Sequence, residues 1–376
     1  MKNFVLGALA LTAFAGTSFA AVTLADNVNL FLTGKVGVSY DDNIQLGDGT
    51  INPKIDDTIF NVVPGLSIEF GQRKQAIFTV LDFNESLTRY VDNTNLNTSL
   101  ASVSLRSTMK DPKTSGDFNA AYSQLVANTP VSGVPGLLRR NVTNVGGSIK
   151  FSPSGDKSHY GLGVTYDHTD YLGGVGLVNS KTITVPADYS WAVDAKQNLS
   201  LGVRYRKTEL AGATPDFTDY YYNMGWNSEV TAKLNGNASI GLNQRKPQVG
   251  KDESSLGFNS TLNWRATEKT SVGFNLSNDF GSSSAGQSQR ALNLGVNATT
   301  ELASNVTGTA KATYTATRYP GTRKDDYWQY GVSVGWKIGN NFEVTAAYDY
   351  KDNSSSIGGA NSYVDNLVSL TGTVRY

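Results

Sequence analysis

Only two histidines, His159 and His168, offer acid–base groups that titrate near neutral pH in this chain of 376 residues. A hydrolase needs a nucleophile and an orienting acid beside one of them, and no local motif supplies that set. Gly331-Val332-Ser333-Val334-Gly335 matches a nucleophile elbow by its letters. It lies inside an alternating apolar and small run, so its glycines and serine read as one face of a strand. His168, near the end of a predicted strand, lacks the matched partner an outer-membrane lipase would need. Cysteine is absent, which removes disulfides and thiol chemistry. The acidic residues Asp41, Asp42, Asp48, Asp56 and Asp57 crowd one predicted loop. Their oxygens suit Ca²⁺, but solvated loop charges are the favoured reading. The sequence assigns no catalytic, cofactor-binding or metal-ligating residue.

The elements that would position any site begin with a leader. Lys2, the apolar run Phe4 to Ala15, and Ser18-Phe19-Ala20 ahead of Ala21 have the order of a cleaved secretory signal over residues 1–20. Residues 21–376 are then one domain. The apolar core of the leader is too short to span a bilayer, and no later stretch approaches the roughly 20 apolar residues a spanning helix needs. A membrane protein with this sequence must be built from strands. Gly 38, Tyr 19, Phe 15, 17% charged residues and a mean hydropathy of −0.29 fit a barrel of many short strands. Without cysteines, an exported chain must gain stability from hydrogen-bonded closure. Lys+Arg 32 balances Asp+Glu 32, so the electrostatic footprint of a nucleic-acid binder is missing.

From Val28 onward one unit repeats: some ten residues with apolar side chains at every second position, then a polar break rich in Gly or Asn. Trp328, Tyr330, Val332, Val334 and Trp336 alternate with Gln329, Gly331, Ser333, Gly335 and Lys337. Leu201, Val203 and Tyr205 oppose Gly202, Arg204 and Arg206 in the same way, and Phe342 to Lys351 repeats the pattern. The apolar faces carry no charge, as a lipid-facing surface requires, since a charge there costs about 2–4 kcal/mol at mid-bilayer. A soluble sandwich also alternates, but it needs branched aliphatic packing, whereas these strands place Tyr and Trp near their ends. The units predict strands at 28–40, 57–70, 75–89, 96–107, 117–127, 141–151, 158–170, 181–192, 198–210, 217–227, 232–244, 254–265, 269–280, 288–300, 304–317, 325–338, 341–352 and 363–376. That is about eighteen strands in a transmembrane antiparallel up-and-down β-barrel. Short connections such as 71–74, 152–155, 265–268 and 338–340 alternate with long ones at 41–56, 128–140, 172–180, 281–287 and 353–361. This order puts both ends of the chain in the periplasm. The pattern is poorest over 90–142, where the strand at Phe118 to Val126 is least regular.

A barrel of this size leaves an aqueous channel. Its predicted inward positions are mostly Gly, Ser, Thr and Asn, with the charges Lys35, Glu69, Arg204, Arg206, Lys311, Lys337, Glu343, Asp349 and Arg375 as pore-lining candidates. Both signs occur, which argues against strong selection between simple cations and anions. Each charge reads either as a substrate contact or as one half of a pair on the inner wall. The terminal stripe Val364, Val368, Leu370, Val374 and Tyr376 is similar to the strand by which the barrel assembly machinery recognises outer-membrane proteins.

Two segments carry a family resemblance: Gly37-Val38-Ser39-Tyr40-Asp41-Asp42-Asn43-Ile44, and Asp57-Thr58-Ile59-Phe60-Asn61-Val62-Val63-Pro64-Gly65-Leu66-Ser67-Ile68. Together they resemble the opening strands of the type 2 outer-membrane β-barrel porins found in exopolysaccharide and capsule export loci. The resemblance implies an integral conduit, in contact with outer-membrane lipid, that works with a periplasmic polysaccharide export protein. It implies no cofactor and no catalytic residue. The expected solute is then a polysaccharide. The alternative is a general diffusion porin passing small sugars and other small hydrophilic solutes. Porins of that kind fold a long loop inward as a charged constriction, and 128–140 offers only Arg139 and Arg140 for it, which favours export. An enzyme or adhesin on the same scaffold has no positive support in the sequence.

Overall fold

The computed structural model describes residues 22–72, 76–127, 137–153, 157–173, 176–212, 214–358 and 361–376. The expected leader at 1–20, and 128–136 of the expected loop, lie outside them. Every long element is a strand, because period-two alternation satisfies a pleated sheet with one apolar face and cannot satisfy a helix. The opening strand β1 (Val22–Ala25) is short, and β2 (Val28–Asp41) to β19 (Tyr363–Arg375) follow as antiparallel neighbours in chain order. The ring closes where β19 pairs β2, from Arg375 opposite Thr33 to Leu367 opposite Asp41. The barrel is therefore eighteen-stranded, β2 to β19. Closure leaves no sheet edge, so the backbone donors and acceptors of the wall bond to one another, as a hydrocarbon surround demands.

The predicted strands all form, with ends displaced by a few residues. The irregular stretch around Phe118 is β6 (Thr114–Ala127), paired along its length with β7 (Leu138–Phe151). It is poor as a pattern because Gln124 interrupts the outward series Phe118, Ala120, Tyr122. The one strand not anticipated is β1. Asn27 at φ 64° turns the chain so that Val22 to Ala25 pairs with the first residues of β2. It occupies the part of that edge that β19 does not reach.

Strand register assigns the faces. In β17 (Arg323–Ile338), Trp328, Tyr330, Val332, Val334 and Trp336 are exposed on the outside. Gln329, Gly331, Ser333, Gly335 and Lys337 point inward. Clusters of aromatic rings lie near each end of the wall. Tyr160, Tyr189 and Trp191 lie at the end bearing the chain termini, with centroids 5.1 and 5.9 Å apart. Tyr314, Trp328, Tyr330 and Tyr350 lie toward the other end, at 4.5, 5.9 and 6.2 Å. Aromatic residues at both ends of an apolar outer face are the mark of a membrane-spanning barrel. The connections at the terminal end are short, and the longest at the opposite, outer end is 42–56.

That outer connection is folded by its own side chains. The Asn43 amide donates to Gly47 O and Val364 O, both at 2.8 Å. Asp48 accepts from the Thr50 hydroxyl and from the backbone N–H groups of Thr50, Ile51 and Asn52. These donors, the Thr50 hydroxyl foremost, hold its carboxyl well below the usual carboxylate range. Gly47 is required there, since a Cβ would collide with the Pro53 carbonyl.

Candidate functional site: the inner wall

The inner face is built from small polar residues at alternate positions of β10 (Gln197–Leu210), β11 (Phe217–Thr231), β12 (Leu234–Pro247), β13 (Glu253–Arg265) and β14 (Thr270–Ser282). Ladder partners line up into rows. Asn198, Asn227, Asn237, Thr261 and Asn275 form one, and Ser200, Gly225, Ser239, Asn259 and Ser277 form the next. Concavities of about 310 and 410 Å³ open on this lattice, one bordered by Lys150 and Asp188, the other by Arg204 and Asp279. Amides and hydroxyls each present donors and acceptors to water or to a hydroxylated solute without fixing a charge preference. The small polar inward positions are plain in the sequence, Ser200, Asn259 and Thr261 among them; what alternation does not show is how they line up into rows across strands.

The expected charges occupy the inner face too, and most are paired. Arg204 and Arg206 on β10 reach Asp279 on β14, four strands along the wall, at 2.8 and 3.1 Å. Only a concave face brings such residues together. Arg206 also donates to Asp219 Oδ2 at 2.7 Å, and Arg245 Nε donates to its Oδ1 at 2.6 Å. Arg245 is 1% exposed and lies between the rings of Phe217 and Phe280, 4.5 and 4.9 Å from their centroids. Lys311 pairs with Asp349 at 2.6 Å, directly across Gly331. A Cβ on Gly331 would collide with Lys311 Cε, so glycine makes this bridge between non-adjacent strands possible. Arg375 pairs with Glu69 at 2.7 Å and stacks on Phe31. Lys35 and Lys337 have no ion pair among the described residues; Lys337 lies opposite Glu343 in register. Arg140 faces inward and Arg139 outward.

The Arg–Asp network does more than neutralise charge. The β13–β14 ladder stops at Phe258 opposite Asn278, while Asp279 to Ser282 stay paired with β15 (Ser288–Ala303). The outer end of β14 thus leaves the wall and leans across the inside of β12. Arg245 Nη1 holds it there by donating to Gly281 O at 2.6 Å, and Arg206 Nη2 by donating to Phe280 O at 2.7 Å. Beyond it, Val178 N donates to Ser284 O at 2.8 Å, joining the β8–β9 connection to the β14–β15 connection across the mouth. Among the described residues the inward fold comes from this side of the barrel; 128–136 of the loop expected to constrict the pore lie outside them.

The residues weighed for catalysis are dispersed. Ser333 sits mid-strand, opposite Thr309 and Ala347. His159 and His168 lie at opposite ends of β8 (Ser158–Tyr171) and on opposite faces. His159 Nδ1 is 2.6 Å from the Ser152 hydroxyl. Of the five loop acids, Asp56 accepts from the Tyr40 hydroxyl at 3.0 Å. Asp57 caps the chain at Val91, Asp92 and Asn93.

The profile of the family described as "Putative beta-barrel porin 2" matches residues 33–376. Among solved structures, Acinetobacter baumannii OccAB2 is similar at 12% identity and TM-score 0.51, over 94% of this chain and 99% of that one. Pseudomonas aeruginosa OccK9 (OpdG) gives 12% and 0.51 over 93% and 99%. P. aeruginosa OccK2 (OpdF), solved in complex with glucuronate, gives 9% and 0.51 over 93% and 98%. At these identities the likeness is one of fold. No curated protein matches the sequence.

Proposed function

This chain belongs to the beta-barrel porin 2 family, and on that premise we propose that it is a diffusion channel for small hydrophilic solutes. It is an outer-membrane porin; the proposal concerns what passes. The observation that carries it is the lattice of amides and hydroxyls on the inner wall, set among charges that largely cancel in pairs. Neutral or weakly charged polyols and sugars fit such a surface, because each hydroxyl lost from water finds a replacement partner. In this reading Lys35, Lys337 and Glu343 meet passing ions, whereas Glu69, Arg204, Arg206, Lys311, Asp349 and Arg375 shape the wall. Residues 1–20 serve as the export signal. The polymer-export role implied by the resemblance draws no support from the barrels similar in fold, one of which was solved in complex with glucuronate.

Planar-bilayer recording tests the reading. The purified barrel is expected to give steady open currents with a reversal potential near zero in a salt gradient. Lys35→Glu and Lys337→Glu together should move that potential toward cation selectivity while leaving the folded barrel intact. A silent barrel, or a strongly selective one unmoved by the two substitutions, would contradict it.

A further inference from the structure

The outer end of the seam between the first and last barrel strands gathers three carboxylates. Asp41 ends β2, Asp42 follows it, and Asp365 stands near the start of β19; one oxygen from each lies within 4.8 Å of the others. Asp365 is 1% exposed. Its Oδ2 accepts from Lys351 Nζ at 2.7 Å, while its Oδ1 is buried with no hydrogen-bond donor. Asp42 is held in place by Asn366, whose backbone N–H and side-chain amide both donate to it at 2.7 Å. Asp41 Oδ1 accepts the Asn43 N–H at 2.8 Å. Among the described residues one ammonium pairs with this cluster, through Asp365, and a buried acceptor is left without a partner. Like charges this close, with an oxygen denied both water and a donor, are unfavourable unless a cation or a proton is shared among them.

We propose that Asp41, Asp42 and Asp365 bind a divalent cation, Ca²⁺, that staples the closure seam on the outer side of the barrel. The donor set is all oxygen and carries no imidazole or thiolate, which suits a hard ion and not a transition metal. An ion with Ca²⁺–O distances of about 2.3–2.6 Å reaches any pair of oxygens up to about 5 Å apart, which covers the 4.8 Å within which these three lie. The site has a structural use. The β19–β2 ladder ends at Leu367 opposite Asp41, and beyond it the seam is continued by Asp42, Asn43 and Asn366. A cation there would tie the connection 42–56 to β19 where backbone pairing has stopped. Asp48, Asp56 and Asp57 take no part, being committed to neighbouring donors.

The test uses the refolded full barrel in lipopolysaccharide-free detergent at pH 7.5, with Tb³⁺ as a luminescent probe. One saturable Tb³⁺ per barrel is expected, displaced by Ca²⁺. Asp365→Asn and Asp42→Asn should each weaken it by about tenfold or more. Lys351→Met removes the competing ammonium and should tighten binding by about tenfold. That variant decides the matter if the aspartate variants do not fold. Absence of saturable Tb³⁺, emission unchanged by Asp365→Asn, or Lys351→Met without tighter binding would overturn the site. So would a seam stabilised by acid and indifferent to Ca²⁺, which would mean a proton shared between Asp41 and Asp365.

Discussion

Asp219 shows how a single residue can hold a wall together. Its two oxygens take four donors from Arg206 and Arg245, and both Asp219 and Arg245 are almost fully buried. A buried pair of this kind gives little net stability over an apolar substitute, but removing one partner strands the other charges. Asp219→Asn should therefore destabilise the barrel by about 3–5 kcal/mol, read as a shift of the urea-unfolding midpoint in lipid vesicles. An unshifted midpoint would mean that the network is dispensable. The sequence placed Arg206 on the inner face but did not connect it to Asp219 or Asp279. Periodicity tells which face a side chain takes; which strand lies opposite depends on the curvature of the whole sheet. The Asp365 cluster is hidden in part for the same reason: Asp41 and Asp42 stand out as adjacent acids, but Asp365 joins them from more than three hundred residues away along the chain.

At the scale of the element, alternation did most of the work. β17 was legible residue by residue because its outward positions are large and apolar and its inward ones small or polar. β6 was harder because its outward series contains Gln124, and β1 was missed because its few residues adjoin the predicted cleavage site. The inward lean of β14 left no local trace, since it follows from Arg245 and Arg206 reaching carbonyls on a strand two or four positions away. A paired substitution tests the faces. Val332→Arg puts a charge on the lipid side and should cost about 2–4 kcal/mol, while Ser333→Arg on the lumen side should cost much less. Comparable losses measured by unfolding in vesicles would refute the facing of this strand.

For the whole molecule, closure converts eighteen local strands into one continuous wall with a polar interior. Fold and location were readable because every strand repeats the same two-faced pattern. What passes was not, because the inner residues are individually ordinary and act only as rows assembled across strands. The resemblance in the opening strands identified the family correctly and suggested export of a polymer. The amide and hydroxyl rows, the paired charges and the connections meeting at the mouth fit small solutes better. Liposome swelling with neutral sugars of increasing size tests that claim most directly. The account predicts fast swelling with monosaccharides that falls steeply as the sugar lengthens to short oligosaccharides. Proteoliposomes that do not swell with monosaccharides, or that admit long oligosaccharides equally well, would contradict it.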